Sequence, residues 1–423
     1  PHFKENGAAF PVYEDVSDTA DEEDIGSDSD EDDDSDIAGY SVENAYAEEK
    51  EEACLALRQL ASNAKTAFVP YLETAFKEVF KLINYPQEDI RKSSIDALAT
   101  FCVSFYTYDT SEEKKALAEA LSVFIPKLAE IVRTDLEREV VMSALDAYCD
   151  MLAEGGSSII KGEGHRDAIV NSVMAVLQNK VECQDKCKDE EEESDDGEAE
   201  QDELLIQCAG DIIPKLGKAM PPDDFAVYFE QFYPLLVAKT KKNCTDAQRS
   251  FSIGTISDTI ASLSYRITGY VQVLLPLLLH ASEDKNEDVR NNAIYGLGEL
   301  AFHGKEAVEP HYPQILQALS ATVSKETHPV VLDNICGALA RLIITNVIAV
   351  PMEQVFPVYL QYLPLREDFE ENKEVFNSFS HLYKIGHPVL LNHLGTVVTI
   401  CASVLDTKQI EKGNACVTLS VAM

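Results

Sequence analysis

Apolar residues return along this chain at i, i+4 and i+7, the stripe of a helix packed along one face. Five segments share that phase: "EDIRKSSIDALATF" from Glu88, "EREVVMSALDAYC" from Glu137, "AQRSFSIGTISDTIASL" from Ala247, "EDVRNNAIYGLGELA" from Glu287 and "HPVVLDNICGALARL" from His328. With Leu297 as reference, the matching positions are Leu98, Leu145, Ile256 and Leu339, at successive gaps of 47, 111, 41 and 42 residues. The gap of 111 fits two units. Ahead of these segments runs a second pattern, an apolar or aromatic pair, a proline and then leucines. It reads "FVPYL" at Phe68, "FIPKL" at Phe124, "FYPLL" at Phe232, "LLPLL" at Leu274, "HYPQIL" at His311 and "VFPVYL" at Val355. Proline is cheap in a first helical turn, where its missing N–H has no partner to lose, so the motif predicts helix starts. Strand-like alternation is essentially absent.

Two helices per unit with a period near 40 residues is the HEAT or armadillo signature. The expected fold is therefore all-α, a HEAT-repeat α-solenoid of about seven to eight antiparallel helix pairs whose second helices line a long concave surface. Such a stack is a binding architecture, and no enzymatic activity is expected of it.

Charge changes the picture. The chain has 423 residues with 74 acidic against 35 basic, a net charge of −39. Two runs carry no Lys or Arg at all, Glu14 to Asp36 and Asp189 to Glu203. The domain reading is an acidic, disordered segment over 1–40 and a solenoid over 41–423, interrupted by an acidic loop at about 183–203 between the helices of the third pair. The folded remainder is acidic too. Nucleic-acid binders need cations at phosphates, so direct DNA or RNA binding is disfavoured and a basic partner is favoured. Serines 27, 29, 35 and 194 lie among acids, a setting that suits acidophilic kinases.

The ten cysteines are scattered, which reads as reduced thiols. The longest apolar runs, "YVQVLLPLLLHAS" and "LIITNVIAV", are too short to span a bilayer, and no membrane contact is expected. No signal peptide opens the chain, and its first residue is Pro1, so it reads as part of something longer.

Chemical motifs are sparse. "YGLGELAFHG" misses the dinucleotide-binding spacing, and close helix packing explains its glycines better. "CQDKC" has no second pair of ligands for zinc, and the nine histidines lack a metal-binding context. No catalytic residue, metal or cofactor is expected. More informative are polar positions that recur on the second helices. Asn292 and Asn334 are equivalent, 42 residues apart, and Glu374 falls at the next step. One turn on lie Tyr295 and Asn377, and further on Glu299 and Asp258. Acceptors beside an aromatic face suit an ammonium group, which has three donors and gains from cation–π contact. The competing reading is that Asn292 and Asn334 brace neighbouring backbone inside the stack.

The stretches "GYSVENAYAEEKEEAC", "FKEVFKL", "DVRNNAIYGLGELAFHG" and "DNICGALARL" resemble karyopherin-β nuclear import receptors, from Gly39 to the end and corresponding to the C-terminal part of one. The resemblance implies a shuttling receptor of cytoplasm and nucleus that meets nucleoporins and carries basic nuclear-localisation segments. Its cargoes would be histones three and four, with or without a histone chaperone, and ribosomal proteins. It also implies that lysines enter acidic and Asn-bearing pockets, here Asp258, Asn292, Tyr295, Glu299, Asn334, Glu374 and Asn377, with Arg341 breaking the acidic pattern. Release by Ran GTPase would rely mostly on N-terminal repeats that this chain lacks. The alternatives are a static HEAT scaffold of the phosphatase-subunit kind and a histone chaperone outside transport.

Overall fold

The computed structural model describes residues 34–107, 111–185 and 196–407. Most of the acidic runs, over 1–33 and 186–195, lie outside the described residues. Those described are helices and connecting turns, with no strand among them. The chain divides into two compact units, Pro1–Lys127 and Leu128–Met423.

The first unit holds α1 (Asp34–Ala64), α2 (Val69–Phe80), α3 (Glu88–Thr107) and the first part of α4 (Ser111–Thr134). α1 starts inside the stretch expected to be unstructured. Helix α1 lies alongside α3, and α2 buries Leu72, Phe76 and Val79. Phe76 meets Phe124 of α4 edge-on at 6.3 Å between ring centroids, a favoured aromatic geometry.

The second unit continues with α5 (Arg138–Gly155), α6 (His165–Leu177), α7 (Glu182–Asp185), α8 (Asp196–Ala219), α9 (Pro222–Ala238) and α10 (Asp246–Leu263). Then follow α11 (Val271–Ala281), α12 (Glu287–Gly304), α13 (Tyr312–Val323), α14 (Pro329–Asn346), α15 (Met352–Gln361), α16 (Asn372–Lys384), α17 (Pro388–Asn392) and α18 (Leu394–Asp406). Helices α5, α8, α10, α12, α14 and α16 pack side by side as one layer, and the helices between them in sequence pack against it. This is the expected helix-pair stack. The reference positions Leu145, Ile256 and Leu297 are fully buried, and Leu339 is nearly so.

The prolines depart from expectation. Pro70 and Pro313 do sit in first turns. Pro126, Pro234, Pro276 and Pro357 lie inside α4, α9, α11 and α15 instead. Each interior proline deletes an i→i−4 hydrogen bond. Buried neighbours offset the loss, Phe232 and Leu236 around Pro234, and Leu274, Leu275 and Leu278 around Pro276. A second departure concerns α14. With its 3-10 continuation, Pro329–Ala349 is long and apolar enough to cross a membrane. It is a core helix between α12 and α16, with most of its residues, from Val331 to Ile343, buried.

Arginines join the pairs. The Arg249 guanidinium donates to both carboxylate oxygens of Asp284 at 2.8 and 2.9 Å, and to the Cys244 carbonyl at 2.8 Å. One unit later Arg290 donates to Glu326 at 2.8 Å and to the Asp284 and Lys285 carbonyls at 3.0 and 2.8 Å. Each arginine thus fixes its own entry loop and the acid of the following pair. The Arg249 pair is bidentate, and part-buried, charge-assisted bonds of this kind are the strong ones. The ion pair holds the Asp284 carboxyl below its ordinary range. At α14 an acid takes over, with Asp333 accepting from the backbone N–H groups of Arg366, Glu367 and Asp368 at 2.8–3.2 Å. Helices α12 and α14 approach closely because position 298 is glycine: a Cβ there would lie 2.9 Å from the Ala338 Cα.

Candidate functional site

Helices α8, α10 and α12 wall a cavity of about 960 Å³ on the face of their shared layer. Its lining includes Asp211, Lys215 and Lys218 of α8, Asp258 of α10, and Asp288, Asn292 and Tyr295 of α12, with Glu370 at one side. Three of the seven residues chosen from the sequence therefore meet in one place.

Asp258 is exposed by area, yet the cavity walls crowd it. Desolvation, reinforced by Asp211 and Glu299 and opposed by Lys218 and Lys215, raises its carboxyl to about 6. Asn292 donates from Nδ2 to the carbonyl and the hydroxyl of Ser250 at 2.9 and 3.1 Å. That bond ties α12 to α10. Tyr295 is half-buried, and the Arg341 guanidinium lies 5.2 Å from its ring centroid. Burial pushes its hydroxyl well above the ordinary range.

Glu299 and Asn334 sit deeper. Glu299 is 7% exposed. It accepts from Arg341 Nε at 2.6 Å, with His303 Nε2 at 3.3 Å from its other oxygen. Burial opposes ionisation of Glu299, but the His303 hydrogen bond and Arg341 outweigh it and lower its carboxyl. Arg341 also forks onto Glu371, with Nη1 to Oε2 and Nη2 to Oε1. Burial is the largest influence on Glu371 and leaves its carboxyl raised. So the arginine that breaks the acidic pattern is the counterion of the acid one unit earlier. Asn334 is 2% exposed and donates to Asp368 at 2.7 Å and the Val330 carbonyl at 3.3 Å. Both asparagines make bracing bonds of the sort the competing reading describes, Asn292 while also lining the cavity. Glu374 and Asn377 face each other on α16 at 3.4 Å and do not line it.

The α8 residues were missed from sequence. Their signal was there: Leu205, Ala209, Ile212 and Leu216 hold the i, i+4, i+7 stripe and are fully buried. The acidic insertion and Pro214 hid it. No cluster of three or more metal-ligating side chains occurs among the described residues.

The fold and this layer of helices define a HEAT-type α-solenoid. Residues 199–335 match the family described as importin subunit beta-1-like, TPR repeats. A crystal structure of Kap121p bound to RanGTP superposes with a TM-score of 0.70 at 14% identity, covering 90% of this chain and 36% of that one. Among curated proteins, the chain is similar to importin-4. The human protein is 39% identical over 89% of this chain and the mouse protein 36% identical over 89%, each alignment taking in 35% of the relative. The chain thus spans about a third of the length of the curated relatives it matches. The resemblance to import receptors read from the sequence holds, and importin-4 is the particular receptor it points to.

Proposed function

We propose that this chain is a cargo-holding part of a nuclear import receptor, and that the α8–α10–α12 cavity receives lysine side chains of an extended basic segment. One observation carries the reading. Asp258, Asp288 and Glu370 line a single cavity beside the Tyr295 ring, and none of the three closes an ion pair within 4 Å among the described residues. An ammonium entering there finds several carboxylate acceptors for its three donors. Similarity to importin-4 supports the transport role, with shuttling between cytoplasm and nucleus. Histone tails, alone or with a chaperone, and ribosomal proteins are the cargo classes that fit an acidic receptor. Glu374 and Asn377 on α16 would hold a further stretch of the same segment. Nucleoporins and Ran GTPase would act on the whole receptor.

A surface charge contact at about 4 Å contributes only ~1 kcal/mol in water-like surroundings, so affinity must accumulate over several pockets. Fluorescence anisotropy with a labelled lysine-rich histone-tail peptide tests this. Asp258→Lys combined with Tyr295→Ala is expected to weaken binding at least tenfold, measured well below the melting transition of the variant because the half-buried Tyr295 ring also contributes to stability. An unaltered dissociation constant would exclude the cavity.

A further inference from the structure

The cavity is not uniformly acidic. Lys218 lines it and forms no hydrogen bond or ion pair among the described residues. Lys215 beside it reaches the Asp211 carbonyl of its own helix at 3.2 Å and the Cys149 thiol. Opposite charges therefore share one cavity without closing on each other. The layer order α8, α10, α12 places them unevenly: every cation of the lining, Lys215 and Lys218, stands on α8 with one acid, Asp211, while Asp258 and Asp288 stand on α10 and α12 with no basic side chain of the lining on those helices. A solely basic ligand would meet Lys218 as a like charge, and a solely acidic one would meet the carboxylates.

We infer that the groove selects a mixed-charge segment, a lysine followed or preceded at fixed spacing by an aspartate or glutamate, and that Lys218, assisted by Lys215, is the residue that reads the acid. This rests on the cavity being the lysine site proposed above. Helix geometry sets the spacing. Packed helices lie about 8–10 Å apart, and an extended peptide advances ~3.3 Å per residue. An acid held by α8 thus sits about three residues from a lysine at Asp258, and about six from one at Tyr295. The two lysines outnumber Asp211 on α8, so the charge runs from net positive there to negative on α10 and α12, and this gradient also orients the segment.

The test uses the full chain and two pairs of synthetic lysine peptides. Within each pair, one member carries Glu three residues to one side of the central lysine and the other carries Gln there. The second pair places the substitution on the opposite side. In one of the two pairs, the wild-type chain is expected to bind the Glu peptide about fivefold tighter than its Gln partner, although the Glu peptide carries less positive charge. Lys218→Gln is expected to erase that preference, and the double variant Lys215→Glu, Lys218→Glu to reverse it. Lys218 is exposed, so its replacement leaves the fold intact. Equal or tighter binding of the Gln peptide in both pairs overturns the inference. Asp258→Lys separates the two levels of failure. If it weakens every peptide while Glu and Gln remain equivalent, the cavity stands and only the mixed-charge selection falls. If it changes no peptide, the cavity itself is not the lysine site, and both readings fall.

Discussion

Asp258 combines access to water with a carboxyl raised to about 6, and that makes it a reporter of occupancy. The sign follows from linkage: an incoming ammonium stabilises the ionised form, so the bound carboxyl holds its proton less tightly than the free one. Affinity for a lysine peptide is expected to rise between pH 5 and about 7 and then level off. Asp258→Asn is expected to flatten the slope, as isothermal titration over that range would show; a slope surviving in the variant would assign it to another group. At this scale the sequence was only half legible. Spacing alone put Asn292 and Asn334 on one register, and the structure does give them equivalent helix positions. Their fates diverge because Ser250 lies opposite one and Asp368 opposite the other, and partners drawn from different turns leave no trace in a periodicity. Glu299 and Arg341 look like a broken ladder in sequence and are an ion pair in space.

Three elements converge on that pair. Helix α12 supplies Glu299 and α14 supplies Arg341, while the turn at Phe369–Glu371 supplies Glu371. Gly337 leaves the room, since a Cβ there would collide with the Glu371 carboxylate. Removing the shared cation strands two buried acids. Arg341→Met is therefore expected to cost about 3–5 kcal/mol, seen as a large fall in melting temperature. The triple variant Arg341→Met, Glu299→Gln, Glu371→Gln is expected to recover much of the loss; equal destabilisation of the single and triple variants would show that packing, not charge, is at stake. Element existence was easy to read because the stripe recurs in phase, as Ile256 and Leu297 illustrate. Element starts were not. Pro234 and Pro276 resemble first-turn prolines but sit well inside helices whose buried leucines and phenylalanines outweigh a lost backbone bond.

Over the whole chain, a net charge of −39 acts at a distance that single pockets cannot. Association with a cationic peptide is expected to be steered, and steering fades as the screening length shrinks from ~10 Å at 0.1 M salt to ~3 Å at 1 M. Stopped-flow measurements are expected to show the association rate falling at least tenfold across that range with the dissociation rate changing much less. Loss confined to the dissociation rate would mean that short-range contacts alone carry the electrostatics. Fold class was legible at this scale because a repeated architecture writes the same instruction many times, whereas the cavity depends on α8, which is written once, behind an insertion. The arginine joints have a consequence for inheritance. Arg249 is answered by Asp284 and Arg290 by Glu326, each 35 or 36 residues downstream, so the helix pairs they join are not self-contained. A lineage that reverses one charge must reverse its distant mate, and a transplanted pair would arrive with half of a bond belonging to its former neighbour.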